Sequence, residues 1–489
     1  MTVVTSSWRM CVTVSIPFKR VLSIKPSPPG PFLGEPAMTS RKPRPTVLPH
    51  PLQQMQLNAA GIDIGSEFHF VAVPSDRDEQ PVRRFSAFTG DLLALADWLK
   101  QCGVDTVVME STGVYWIPLY ELLEQRGLQV LLVDPRRLKN VPGRKTDVLD
   151  CQWLQQLHTF GLLSGAFRPV EEVAVLRSYL RQRAMLVEYA AHHIQHIQKA
   201  LHQMNIKLDK VISDVTGTTG MAILEAILAG ERDPVKLAKL RDPRCQNGEE
   251  TIAKALQGNW RSEHLFALRQ ALALYRADHE QMAACDEQIE QQLGAMTDKS
   301  AGTKLPYQPR SRKAHANTPT FDLRGGVHRV TGVDLTRIDG IDGHTALKLI
   351  GEIGTDMSCW KTVKHFTSWL GLCPGNKRSG GRNISGRTKP CANRAAGALR
   401  LAAHGLHRSQ TALGGFLRRM KARLGAPKAI TATAHKLARL VYFALRNGWD
   451  YVDKGIQCYE QQFRDRQLKS LQIKALQLGY VVVPATPQG

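Results

Sequence analysis

The feature that most constrains this chain is a change of hydrophobic period between residues 59 and 161. Three short runs come first: AAGIDIG from Ala59, FHFVAV from Phe68 and VRRFSAF from Val82, the last two separated by the polar turn PSDRDEQP. Two β-branched, mostly alternating segments joined by short turns read as an antiparallel meander. The period then shifts to three and four. GDLLALADWLKQCG reads as an amphipathic helix closed by Gly103, TVVME as a buried strand, IPLYELLEQRG as a helix, QVLLVDP as a strand and DVLDCQWLQQLHTFG as a last helix. A chain holding both patterns in this order is neither all-α nor all-β.

The order βββαβαβα is what an α/β ribonuclease-H-like domain requires, a hairpin-linked trio followed by parallel units, although other mixed α/β domains share it. We place this domain at 57–168. Ten of the 26 prolines fall in the first 51 positions, so 1–56 reads as a disordered extension or the product of an upstream start codon, with Met38 and Met55 as alternatives. From 169 to 296 the chain is helical. Leu176, Leu180, Leu186, Ala190, Ile194, Ile197, Leu201 and Met204 step mostly by three or four, as do Leu268, Leu272, Tyr275, Met282, Ile289 and Leu293. Two long helices of this kind suggest a coiled-coil hairpin that joins copies of the chain, with a plain helical subdomain as the alternative. Residues 297–325 form a polar, basic linker, 326–455 a mainly α C-terminal domain and 456–489 a tail.

Four carboxylates stand out. Asp63 lies in the first strand, Glu110 ends TVVME, and Asp147 and Asp150, three apart, share one face of the helix they open. In a ribonuclease-H-like sheet the first and fourth strands are neighbours and the last helix crosses them, which brings all four together. Such charges repel, two hard cations relieve the repulsion, and Mg²⁺ (or Mn²⁺) prefers oxygen ligands. A site of this kind polarises a phosphodiester and steadies both attacking and leaving oxygens. Taken singly, each acid also fits an ordinary role: a strand-and-turn or phosphate loop at GIDIG, a strand-end charge, or helix-dipole stabilisation. Asp134 is the nearest competing ligand. His192, His193 and His196 have partial metal spacing but fit a solvated helix surface better.

The other half of the chain is basic. Between Asp356 and Asp450 there is no acidic residue but there are 18 Lys and Arg, which supply most of the net charge of +22. Folded surfaces normally mix both signs, so this span reads as a phosphate-tracking surface. Ahead of it, LTRIDGIDGHTALKLIGEIG matches a helix-hairpin-helix pattern in which the turn at Gly340 and Gly343 offers backbone N–H groups to a phosphate. Within it, CPGNKRSGGRNISGRTKPCANR reads as a loop leading to a helix from Asn393. Lys377, Arg378, Arg382, Arg387, Lys389 and Arg394 are its candidate DNA contacts. Ser379 lies between Lys377–Arg378 and two glycines, where a hydroxyl beside positive charge can attack phosphorus, although spacing alone fits an ordinary loop residue better; Ser385 has similar neighbours, and spacing does not separate the two. No run approaches a membrane span, and nine scattered cysteines without a C-x-x-C pair point to a reducing cytoplasm rather than a disulfide scaffold.

GIDIG, VMESTGVYW, DPRRLKNVPGRKTDVLD and CPGNKRSGGRNISGRTKPCANRAAGALRLAA, in this order, resemble the DEDD transposases of the insertion sequence 110 family over about residues 58–455. The resemblance implies a RuvC-like N-terminal domain in which Asp63, Glu110, Asp147 and Asp150 hold Mg²⁺, and a coiled coil that makes a dimer or larger homo-oligomer. It also implies a C-terminal domain whose catalytic serine maps best onto Ser379. It implies donor and target DNA as partners and a structured noncoding RNA that pairs with both. The 1–56 extension and the 297–325 segment depart from the pattern. A junction-resolving nuclease using the four acids and water, and a nucleic-acid-binding protein without enzymatic activity, are the alternatives.

Overall fold

The computed structural model describes residues 54–135, 147–306, 317–319, 321–375, 377–388, 390–448, 455–478 and 482, so nearly all of the 1–56 extension lies outside the described residues. The chain divides into two units, Met1–Ala166 and Phe167–Gly489.

In the first unit the three short runs become β1 (Ala59–Ile64), β2 (Phe68–Ala72) and β3 (Val82–Ser86), paired antiparallel. β4 (Thr106–Glu110) then adds parallel to β1, and β5 (Gln129–Val133) parallel to β4, giving the order β3-β2-β1-β4-β5. β1 is central and almost wholly buried, which explains why it reads as a continuous apolar run rather than an alternating one. One face of the sheet packs Ile62, Ile64, Val107 and Met109 against α1 (Thr89–Gln101) and α2 (Trp116–Gln125). Leu92, Leu95, Ala96 and Leu99 bury the apolar stripe of α1, each large side chain contributing roughly 1.5–3 kcal/mol. The other face takes α3 (Asp147–Thr159), with Leu154 packed on Val108 and Val133. Behind them Thr106 Oγ1 and His158 Nε2 lie 2.9 Å apart, and burial holds His158 below its usual pKa.

The second unit is mostly helical. α4 (Glu171–Gln203) and α9 (Ser262–Ala295) run antiparallel along one another, as the pairings of Glu172 with Gln292, Arg183 with Asp286 and His193 with Asp278 show. Four short helices lie between them: α5 (Leu208–Val211), α6 (Thr218–Ala229), α7 (Pro234–Ala238) and α8 (Glu249–Ala255). Ile223, Leu224, Ile227, Leu237 and Ile252 of this insert pack with Ile197, Leu201, Leu268 and Leu272 in a separate core. The opposite ends of the long helices, through Val173, Leu176, Ile289 and Leu293, belong to the core of the C-terminal region. Arg183 and Asp286 are buried between the two, joined by two hydrogen bonds, with Arg183 also donating to Asn317 O at 3.0 Å.

That C-terminal region comprises α10 (Leu323–Thr331), a 3-10 turn (Leu335–Arg337), α11 (Gly343–Ile353), α12 (Val363–Trp369), the strands β6 (Lys377–Ser379) and β7 (Arg382–Ser385), α13 (Arg394–Gly405), α14 (Ala412–Leu424) and α15 (Ala426–Asn447). Asp322, Asp342, Thr362, Asn393 and Thr411 each cap a helix by accepting an orphan N–H of its first turn, an interaction worth about 1 kcal/mol. α16 (Gly455–Gln477) follows, docked on α14 by Arg419 stacked 3.4 Å over the Phe463 ring.

Candidate active site

The site is built by register. β1 and β4 pair Gly61 with Val108 and Ile62 with Met109, so the next residues along, Asp63 and Glu110, stand side by side on strands about 4.8 Å apart. Both project to the face that carries α3, because Gly61 and Val108, two residues earlier on each strand, meet that helix. Gly61 is what lets the helix in. A Cβ there would lie 2.3 Å from Cys151 O and 2.4 Å from Gln155 N, backbone atoms of α3. The helix therefore crosses the strand at Cys151, and Asp150 precedes that crossing by one residue. The Cys151 thiol reports the same neighbourhood: burial first, then the charges of Asp63 and Asp150, push its pKa up to about 12.

Asp63, Glu110 and Asp150 are all half-buried, accessible at one end of the sheet. Thr112 Oγ1 donates to Glu110 Oε1 at 3.2 Å, and Ser111 binds Val133 O through both N (2.9 Å) and Oγ (3.0 Å), so the loop after β4 anchors and orients the Glu110 carboxylate. Asp147 is the first residue of α3, one turn before Asp150, and its side chain lies outside the described residues. Among the described residues no three His, Cys, Asp or Glu side chains form a metal-holding cluster. The acids that the topology aligns offer the oxygen-only donors that Mg²⁺ prefers. Asp63 also lines a shallow open pocket with Gly65, Ser66, Glu67, Phe68 and Phe70.

In the second unit the expected loop around Ser379 is a β-hairpin. Ser379 pairs with Arg382 across Gly380–Gly381, whose φ values of 53° and 76° suit a two-residue turn that only glycine enters freely. Ser379 is exposed at the tip, and its hydroxyl makes no hydrogen bond among the described residues. Ser385 pairs with Lys377 at the other end, and its Oγ accepts from Arg387 N at 3.2 Å. Arg382, Arg387 and Arg394 are exposed around the hairpin, whereas the side chains of Lys377, Arg378 and Lys389 lie outside the described residues.

The turn before α11 differs from a simple phosphate cradle. A Cβ at Gly340 would meet Ala402 O at 2.9 Å and one at Gly343 would meet Leu323 Cβ at 3.0 Å, so packing accounts for both glycines. Asp342 already accepts from Thr345 N at 2.8 Å at the helix N-terminus. On α4, His192 and His196 are exposed, and His193 Nε2 lies 3.5 Å from Asp278 of α9, a partner too distant in sequence to be anticipated. Sequence reading also passed over Gly61 and Thr112; the glycine two residues before a strand aspartate was the available signal for the first.

Comparison with protein families finds two matches along the chain. Residues 60–206, which include Asp63, Glu110, Asp147 and Asp150, match the transposase DEDD domain of the IS110 family. Residues 334–410, which include the hairpin, match the transposase domain of the IS116/IS110/IS902 family. No curated protein matches the chain. The sheet followed by helices fits a RuvC-like DEDD domain, and no helix among the described residues is long and apolar enough to cross a membrane. The chain thus carries, in order, matches to both transposase domains of the IS110 family, and these domains indicate an enzyme that cuts and rejoins DNA.

Proposed function

We propose that the chain is a site-specific recombinase that moves its own element through a serine–phosphate intermediate. The observation that supports this most is the register that sets Asp63 beside Glu110 under the helix bearing Asp150. Asp63, Glu110, Asp147 and Asp150 would hold Mg²⁺ or Mn²⁺, which when bound supplies positive charge to the scissile phosphate and lowers the barrier to displacement. The Ser379 hydroxyl attacks phosphorus, its proton passes to a base, and one DNA oxygen leaves as a hydroxyl. One phosphoester replaces another, so the bond energy is kept for rejoining, when the hydroxyl of an incoming strand displaces serine. Exposure at the hairpin tip and a hydroxyl not held by Arg387 favour Ser379 over Ser385.

Arg382, Arg387 and Arg394, with Lys377, Arg378 and Lys389, contact phosphates of donor and target DNA. The helix-hairpin-helix reading of 335–354, with Gly340 and Gly343 at a phosphate, is weaker than the hairpin because Asp342 already satisfies that helix N-terminus. The antiparallel α4 and α9 act as a coiled-coil hairpin that joins copies of the chain. Similarity to the family extends the reading to an element-encoded structured RNA partner. The test uses full-length protein and a labelled duplex carrying an end of the element, with the element's RNA supplied. Asp63→Asn and Glu110→Gln should bind DNA as the parent does but lose Mg²⁺-dependent strand cleavage. Cleavage at the parental rate by either variant contradicts the reading.

A further inference from the structure

The acid pair belongs to a longer row. Asp63 faces Phe70 across β1 and β2, and Phe70 faces Arg84 across β2 and β3, so Arg84, Phe70, Asp63 and Glu110 lie in line across four strands. Neighbouring residues on β3 have opposite fates. Arg83 turns to the α1 face, where it pairs with Asp78 at 2.7 Å and stacks 4.8 Å from the Trp98 ring centroid. Arg84 turns to the acid face, is exposed, and has no carboxylate within ion-pair distance among the described residues. Its guanidinium stacks 4.5 Å from the centroid of Phe68, a residue of the pocket that also holds Asp63. Stacking on a ring restrains a guanidinium without occupying its N–H donors, which leaves them available for a bidentate phosphate contact. A strand of DNA approaching the acids meets repulsion there, and an aligned cation at the edge of the same row offsets it.

Resting on the function proposed above, we infer that Arg84, held by Phe68, is a positioning residue that binds a backbone phosphate flanking the scissile one. Two measurements on the full chain test it. In binding to a plain DNA duplex, Arg84→Ala should lose roughly tenfold in affinity, and the slope of log K against log salt should become shallower by about 0.9. Arg84→Lys should keep the slope, and Phe68→Leu should weaken affinity without changing it. In cleavage of an element-end duplex, single neutral methylphosphonates are placed along the strand. One next to the scissile position should slow the parent by the factor that Arg84→Ala loses, and leave Arg84→Ala unaffected. An Arg84→Ala protein with the parental salt slope, or with the parental methylphosphonate pattern, overturns the inference. Because binding is read without cleavage, failure of the recombinase reading, seen as undiminished cleavage by Asp63→Asn, is distinguishable from failure of this one.

Discussion

Replacing Gly61 by alanine perturbs the packing that aligns the acids without touching an acid. The new Cβ would stand 2.3 Å from Cys151 O and 2.4 Å from Gln155 N, where ordinary contact begins near 3.4 Å. Both atoms are helix backbone, so no side chain can rotate away, and α3 must lift by about 1 Å from the strand, given how little a packed helix deforms. Overpacking of this kind costs about 1–3 kcal/mol of stability. The same lift carries Asp150, and the start of the helix at Asp147, away from Asp63 and Glu110. A misplacement of about 1 Å in catalytic geometry slows reactions on the order of 100-fold. Strand cleavage of an element-end duplex and thermal unfolding of the full chain measure the two effects. Gly90→Ala in α1 is the control, since a Cβ there meets nothing within 4 Å. Parental cleavage and an unchanged melting temperature in Gly61→Ala would refute the argument that this contact sets the site.

Other outcomes follow from the same geometry. Asp286→Ala leaves Arg183 buried without its partner and should cost about 3–5 kcal/mol in denaturant unfolding, whereas replacing both residues with apolar ones should cost far less. Burial lowers the pKa of His158 and His69 from 6.5, so the stability that their neutral forms give is present above pH 6.5 and lost as pH falls through the depressed values; His158→Gln should flatten that acid loss in pH-dependent melting. Thr112→Val should leave DNA binding intact while reducing cleavage, because the hydrogen bond that orients Glu110 is gone; an unchanged rate would remove Thr112 from the site. If the acids and Ser379 act from different copies of the chain, an Asp63→Asn protein mixed with Ser379→Ala should regain activity that neither shows alone.

What could be read from the sequence was what local pattern dictates. The five strands and their order followed from the shift of period at residue 89, and the ends of α1 and α2 from Gly103 and Gly127, both in left-handed conformation. The two long helices followed from their three-and-four spacing. Features fixed by residues far apart in sequence were less accessible. Nothing near Arg83 and Arg84 distinguishes a structural arginine from one facing the acids; Trp98 and the strand register do that. Arg183 and Asp286 break the rule that charges face water, because each finds its partner 103 residues away. The hairpin at Ser379 was missed because its strands are short and polar, with Lys377, Arg378, Arg382 and Asn383 giving no apolar alternation. Only the Gly380–Gly381 pair marked the turn.

The most direct test of the central claim is to trap full-length protein on labelled DNA, with Mg²⁺ and the element's RNA supplied, and resolve the products under denaturing conditions. The account predicts a covalent protein–DNA adduct that is lost in Ser379→Ala, kept in Ser385→Ala and absent in Asp63→Asn. An adduct that persists in Ser379→Ala, or cleavage by that variant at the parental rate without any adduct, would contradict it.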